Sequence, residues 1–491
     1  MPIAVLFICC IPLFFLNSRA LFWFGDDWTQ YIKEAQNIAA GKPYYTSGFI
    51  FNPANTDYAP PQYPPGYPIL LAPLVYFFGI DLQPLVYLNI LFVSALLFAA
   101  YHYFRHYSAK TSAVCLAVIL CYTSYIIDLK KHVLSDIPCT LFVTLYFALR
   151  GKKNLSSKRT VLLMLIGVFA MLIRSQTVLL IVAETIIFCY GFLLDWRKNK
   201  KFPKLFTQQR SSLWLCTGMA LLYFFCNTVL FAAPNSTLQF YRKIYVTHIA
   251  APWTLIGRNG KYLWELLSGM LSHETGYRLL GYTVTMITIS TTVFGCIGCF
   301  HSFKKGLRAD NVFFLLMCAL IIVTPVYQGF RYLLPAVPVF LLFVKEGIKI
   351  VLSTRIKIAG WKIAIGCTAL FLALGFNDYK RATYPPASTI TSDDFEAFHY
   401  LKNNVPDSDI IVFIKPRFLT LYTGKKSMNL AWQENITRNR TVVDSFKASY
   451  LLTRRDLSND IFQQYQQQPD IFSDSVQIND LYKLYRLRRN R

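Results

Sequence analysis

Charge is what this sequence has little of. Asp, Glu, Lys and Arg make up 15% of its 491 residues, where a soluble chain carries about a quarter. Acid is scarcer still, with 26 Asp and Glu against 50 Lys and Arg. The shortage excludes an ordinary water-soluble fold. The chain is 54% hydrophobic and 16% aromatic, its mean hydropathy is +0.36, and many apolar runs approach the ~20 residues that cross a hydrocarbon core. Other absences narrow the field further. The N-terminal run lacks a basic n-region and a small-x-small cleavage site before Asp26, so it reads as a retained span, not a signal peptide. The polar C-terminal tail has no Gly-rich phosphate loop, HExxH or GxSxG. No clear internal repeat is present, against the habit of many transporters. The 12 cysteines all lie in apolar segments, and CIGC at 296–299 sits inside a predicted span. They read as small core hydrophobes, not as a disulfide framework or a metal site.

What is present organises a topology. The net charge of +24 does not mark a nucleic-acid partner, because the basic residues collect in short connectors between apolar runs. Spans are expected near 2–21, 84–104, 111–127, 136–150, 160–173, 176–194, 212–233, 278–300, 311–327, 332–350 and 359–377. Five connectors hold roughly twenty Lys and Arg, among them Lys152, Lys153, Arg197, Lys200, Lys304 and Lys345. They are expected to be cytoplasmic, which puts the N-terminus inside and the C-terminus outside. The short, Pro-rich run 65–79 would invert every later loop if it crossed, so it is expected as an interfacial or re-entrant helix.

That topology sends the notable charges to one outer face. Asp26 and Asp27 open a predicted amphipathic helix over 27–40, with Trp28, Tyr31, Ile32, Ala35 and Ile38 on one side. Gln30, Lys33, Glu34 and Asn37 take the other side. Such a helix is expected to lie in the membrane plane. The acids could serve only as a helix cap, although one would suffice. Asp136 precedes a span with Pro138 in its first turn, a pattern that also fits a simple N-terminal arrangement with Ser135. Lys130, Lys131 and His132 lie just before it and would suit an anionic ligand. Arg174 falls at an outer hairpin, and Arg331 with Tyr332 stands at the mouth of a Pro-broken span. An Arg there can snorkel to the interface, or its fixed fork of donors can hold a phosphate.

Beyond residue 378 the composition turns polar. "SDDFEAFHYLKNNVP" reads as a helix with Asp393 and Glu396 at capping-box spacing. "DIIVFI" and "SYLLTRR" read as strands, and "RFLTLYTG" and "NDIFQQYQQQ" as helices. Residues 379–491 are therefore expected to form a small α/β domain outside the membrane, beside a membrane domain 1–378 whose first outer loop is 22–83. Asn235, Asn435 and Asn439 head N-x-[ST] triplets.

Four segments in order, "GDDWTQYIKEAQNIAAGKPY", "YPPGYPILLAPL", "SDIP" and "RYLLPAVP", resemble the polytopic GT-C glycosyltransferases. These include the protein O-mannosyltransferases and the lipid A aminoarabinose transferases. The likeness spans most of residues 20–345. It implies an all-α polytopic membrane domain of about eleven spans, with interfacial helices in the first outer loop and a small α/β extracytoplasmic domain at the C-terminus. It implies a hexosyltransferase-type enzyme of the cell envelope that moves a sugar from a polyprenyl-phosphate donor to an extracytoplasmic glycan, lipid or protein acceptor. The lipid bilayer of a bacterial inner membrane is its expected setting. In the family pattern the key Asp precedes a Tyr by four positions, which selects Asp27 with Tyr31 and leaves Asp26 supporting. Asp136 matches the second acid, and Arg331 and Tyr332 the "RY" before a Pro-rich span; Arg174, Lys130, Lys131 and Tyr63 join them as candidate substrate contacts. The chain departs from the pattern at Gln62-Tyr63, where the aminoarabinose branch has Glu-Lys, and at "DD", where the mannosyltransferases have Asp-Glu. No cofactor is therefore carried over, and a divalent cation is left open. The competing expectation is a lipid-linked glycan flippase or polymerase.

Overall fold

The structure is a computed structural model. It describes residues 2–16, 18–20, 24–55, 60–151, 155–199, 210–232, 278–324, 330–353, 390–432, 434–457 and 459–488, with isolated positions in 257–260 and 362–372. For Asp26 it describes the backbone alone. The chain divides into two compact units, one of residues 1–20, 83–232 and 247–385, the other of 21–82, 233–246 and 386–491. The first outer loop thus groups with the C-terminal residues, where composition pointed to a linear division after 378.

The first unit is helical. Helices Leu82–Arg105, Ser175–Arg197 and Ser211–Leu230 are long and apolar enough to cross a membrane. Their outward side chains are greasy: Leu91, Trp196, Leu221 and Phe224 are all exposed. Asp136–Arg150 packs on Ser157–Ile173, Leu179–Asn199 on Arg210–Phe225, and Arg278–Lys304 on Val337–Ser353. The last pair crosses through glycine. A Cβ on Gly298 would lie 1.8 Å from the Phe343 carbonyl oxygen, and one on Gly347 would lie 1.9 Å from that of Phe294. Small residues bring helix backbones together in this way where lipid gives no hydrophobic drive to pair. The expected span 359–377 lies largely outside the described residues.

Two buried acids in this unit are paired. Glu184 accepts from Arg150 Nε at 2.9 Å and from the Tyr146 hydroxyl at 2.9 Å. Asp310 accepts from Arg308 at 3.0 Å and from the Tyr103 hydroxyl at 2.8 Å. Neither acid stands out in the sequence, and both read as fasteners within the bundle. The described cysteines are free thiols.

The second unit is built on a five-stranded sheet. In chain order its strands are β1 Ile410–Val412, β2 Lys426–Met428, β3 Tyr450–Arg454, β4 Phe472–Gln477 and β5 Tyr482–Leu487. Their spatial order is β2-β1-β3-β5-β4, with β1 parallel to β2 and β3, and β5 antiparallel to β3 and β4. Side chains alternate between faces along each strand. Val412, Leu451 and Tyr485 join Val442, Val443, Phe462 and Tyr465 of helices Ile436–Ser445 and Asp460–Gln466 in one core. On the other side, Phe398 of helix Ser392–Asn404 lies 6.0 Å from the Tyr482 ring and 5.6 Å from Phe418 of helix Pro416–Thr423. The capping box of Ser392–Asn404 uses Thr391 and Asp394, each two residues before the expected Asp393 and Glu396.

The first loop completes this unit. Helix Asp26–Ala39 starts one residue early, after Gly25, with no side-chain cap. Helix Gly66–Phe78 occupies the expected short apolar run and packs on it. Phe418 packs on the Trp28 ring edge at 5.7 Å and on Phe24 at 4.7 Å. Residues 48–50 add to the β2 edge, with Ile50 N–H donating to Ser427 O at 2.8 Å and Ser427 N–H to Gly48 O at 3.1 Å. Gly48 takes φ +81°, a conformation that favours glycine. Protein therefore covers the apolar face of Asp26–Ala39. It also covers much of the polar face, for Gln30, Glu34 and Asn37 are buried. Asn439 is buried too, its amide bonded to Ala431 and Asn435 oxygens, and Asn435 caps its helix; Asn235 lies outside the described residues.

Candidate active site

Most of the sequence-selected residues gather into two clusters, one in each unit. In the second unit, Asp27 sits in the first turn of Asp26–Ala39, where backbone N–H groups and the helix dipole favour an anion. It is partly buried. The Tyr63 hydroxyl donates to Asp27 Oδ1 at 2.5 Å. Tyr63 stacks on Tyr31 at 4.5 Å, and Tyr67 meets Tyr31 edge-on at 5.0 Å. The spacing from Asp27 to Tyr31 places that ring one helical turn along, under the tyrosine that holds the acid. Burial, and then the Asp27 charge, push the Tyr63 phenol well above its ordinary range, so it stays a donor at neutral pH.

Two residues that the sequence did not single out belong to this cluster. Arg417 is 1% exposed. Its Nη1 donates to the Tyr63 hydroxyl at 3.1 Å and its Nη2 to the Pro60 carbonyl. The guanidinium lies over the Phe49 ring at 4.9 Å and over the Tyr63 ring at 5.0 Å. Glu34 is fully buried beneath Tyr63; its Oε1 accepts from Tyr63 N–H at 3.0 Å and from Gln30 Nε2 at 2.8 Å. Burial pushes its carboxyl up to about 8, against the opposing pull of those donors and of Arg417. Nothing local betrays either one. Arg417 is one basic residue in a tail rich in them, and Glu34 follows the pattern of a wet helix face.

In the first unit, Asp136 begins its helix with no exposed surface. Arg174 Nη1 donates to Asp136 Oδ1, and Arg331 Nε donates to both of its oxygens, at 3.2 and 3.1 Å. Arg174 also lies 5.1 Å over the Tyr332 ring, and Gln176 Nε2 donates to the Tyr332 carbonyl at 3.0 Å. One carboxylate thus gathers two guanidiniums on a partly buried surface. Asp136 is the counter-ion that both guanidiniums share. Lys130 and Lys131 are elsewhere. Lys130 is buried and donates to the Leu13 carbonyl at 2.7 Å and to that of Leu16, while Lys131 pairs with Asp128 at 2.5 Å. His132 lies 3.7 Å from Asp128. These contacts hold the 128–132 turn; they do not present three cations to a ligand.

No donor set among the described residues fits a divalent cation. Among the described residues no three His, Cys, Asp or Glu side chains converge, and Asp136 is flanked by guanidiniums that would repel a cation.

The fold has solved counterparts. The chain matches the Archaeoglobus fulgidus oligosaccharyltransferase in complex with Zn and sulfate at TM-score 0.58 and 12% identity, over 92% of this chain and 68% of that one. It matches AglB from the same organism, in complex with an inhibitory peptide and a dolichol-phosphate, at TM-score 0.54 and 11% identity, over 92% and 69%. It matches ArnT from Cupriavidus metallidurans bound to undecaprenyl phosphate at TM-score 0.52 and 10% identity, over 99% and 97%. At these identities the likeness is one of fold, and the fold is of the GT-C type read from the four sequence segments. No protein-family model matches the sequence, and no curated protein does.

Proposed function

We propose that the protein is a membrane glycosyltransferase that moves a sugar from a polyprenyl-phosphate carrier to an extracytoplasmic acceptor. Asp27 takes the proton of the acceptor nucleophile as that nucleophile attacks the anomeric carbon, with inversion. The carrier phosphate leaves. Arg174 and Arg331, gathered by Asp136, stabilise its growing charge with fixed donors. The observation that carries this reading is the setting of Asp27, a partly exposed carboxylate at a helix start, aimed by a tyrosine hydroxyl at 2.5 Å. The GT-C-type fold supports it, as do neighbours of that fold solved in complex with a dolichol-phosphate and bound to undecaprenyl phosphate. About eleven spans, a cytoplasmic N-terminus and an outer C-terminus in a bacterial inner membrane complete the proposal.

The test is transfer in proteoliposomes, with radiolabelled undecaprenyl-phosphate sugars and envelope extract as acceptor. Asp27→Asn is expected to lower transfer by about 10²–10⁴-fold while inserting and folding as wild type does. Equal transfer by the two proteins would remove Asp27 from the mechanism. Wild-type-dependent movement of the labelled lipid across the bilayer, without transfer, would favour a flippase.

A further inference from the structure

We propose that Arg417 is a positioning residue for the Asp27 base, acting through Tyr63, so that helix Pro416–Thr423 of the C-terminal region completes the site. The proposal rests on the reading of Asp27 as the base. Three observations carry it. The donors run in one direction, with the guanidinium Nη1 donating to the phenol oxygen at 3.1 Å and the phenol donating to Asp27 Oδ1 at 2.5 Å. Each bond in such a chain polarises the next and strengthens it. The guanidinium itself cannot turn, because Phe49 and Tyr63 lie close against it and its other arm is held by the Pro60 carbonyl. That carbonyl belongs to the stiff Pro60-Pro61 pair, so one side chain holds the segment at both Pro60 and Tyr63.

A surface arginine would serve solubility, and a buried one could serve packing alone. Here the charge is fully buried, at 1% exposure, and it reaches Asp27 through the Tyr63 hydroxyl. Arg417 draws electron density from the Tyr63 oxygen and makes that O–H a stronger donor to Asp27. The consequence is a carboxylate held in one orientation and kept ionised. Lysine would not substitute, since a single ammonium lacks the two-armed fork that spans Tyr63 and Pro60.

The experiment is a double-mutant cycle in the transfer assay, with Arg417→Met, Tyr63→Phe and the pair, alongside Arg417→Lys and Asp27→Asn. Each single change is expected to lower kcat by about 10–100-fold, the loss of a hydrogen bond to a charged group. KM for the lipid-linked sugar should change little. The pair should cost no more than the worse single change, because both break the same chain. Arg417→Lys should lose as much as Arg417→Met. In each case the acidic limb of the kcat/KM profile should move to higher pH, which a purely structural role would not produce. Should Arg417→Met fail to fold, Tyr63→Phe alone carries the test through that limb. Additive losses, or a Tyr63→Phe profile with its acidic limb unmoved, overturn the proposal and leave Asp27 as base if Asp27→Asn is inert. Full transfer by Asp27→Asn overturns the reading of the base and the positioning role together.

Discussion

Glu34 shows how far a single residue can stand from its sequence pattern. Among Gln30, Lys33 and Asn37 it belongs to a polar helix face, and that is how periodicity reads it. Hydropathy periodicity tells which side of a helix avoids lipid; it does not tell whether other protein covers that side. Here the Tyr63 segment does, and the buried carboxyl titrates near 8. Its folded-state value lies above the ordinary 4.5, so folding favours the protonated form. The stability this proton supports is complete below the unfolded value and is lost as pH rises through the folded one. Between pH 4.5 and 8 the decline has an upper limit of about 1.4 kcal/mol per pH unit. Thermal unfolding in detergent at pH 5 and pH 8 measures it. The wild-type midpoint should fall across that range more than the midpoint of Glu34→Gln, which holds its protons at both. Parallel shifts in the two proteins would show that Glu34 does not bind a proton in the fold. Asp27 and Tyr31 were legible where Glu34 and Arg417 were not, because a four-residue spacing on one helix is local. Arg417 meets Tyr63 across 354 residues of chain.

Elements follow the same division between local and distant causes. Strands β1 and β3 are visible as the apolar runs "IIV" and "YLL", and helices Pro416–Thr423 and Asp460–Gln466 by their periodicity. Strands β2, "KSM", and β4, "FSDSVQ", carry no such pattern. Their neighbours impose the extended state, β2 through β1 and residues 48–50, and β4 through β5. Asp136, Arg174 and Arg331 were each noticeable as charges beside apolar runs, but not as one ion cluster. The crossing of Arg278–Lys304 with Val337–Ser353 gives an element-scale prediction. A side chain at Gly298 has no room beside the Phe343 carbonyl, which is backbone and cannot rotate away. Gly298→Leu should therefore force the helices apart, at a cost of about 1–3 kcal/mol or more. A lower unfolding midpoint in detergent than for the control Ser290→Ala, at an exposed position of the same helix, is the expected result. An unchanged midpoint would mean that the two backbones do not touch.

At the scale of the whole molecule, the grouping of residues 21–82 with 386–491 changes what a truncation should do. The change of composition near 378 marks where apolar spans give way to polar chain. It carries no information about which distant segment the polar chain folds with, since that depends on contacts such as Trp28 with Phe418 and Gly48 with Ser427. Were the tail an independent appendage, a chain ending at 385 would keep its first loop folded. The contacts argue otherwise. Without the tail, residues 48–50 lose their strand partner, Asn52 and Asn55 lose the Asn429 and Leu430 carbonyls, and Tyr63 loses Arg417. Trp28, now 2% exposed, loses the ring packed against it, and removing a large buried aromatic contact costs about 3–5 kcal/mol. The helices of the other unit keep their internal packing, so the truncated protein should still insert. Limited proteolysis of the two inserted proteins in vesicles is the measurement. Cleavage within residues 44–65 should be rapid in the chain ending at 385 and slow in the full one, and transfer should be lost with the protection. Equal protection would mean that helices Asp26–Ala39 and Gly66–Phe78 hold the loop by themselves, and that the tail contributes to the site through Arg417 alone.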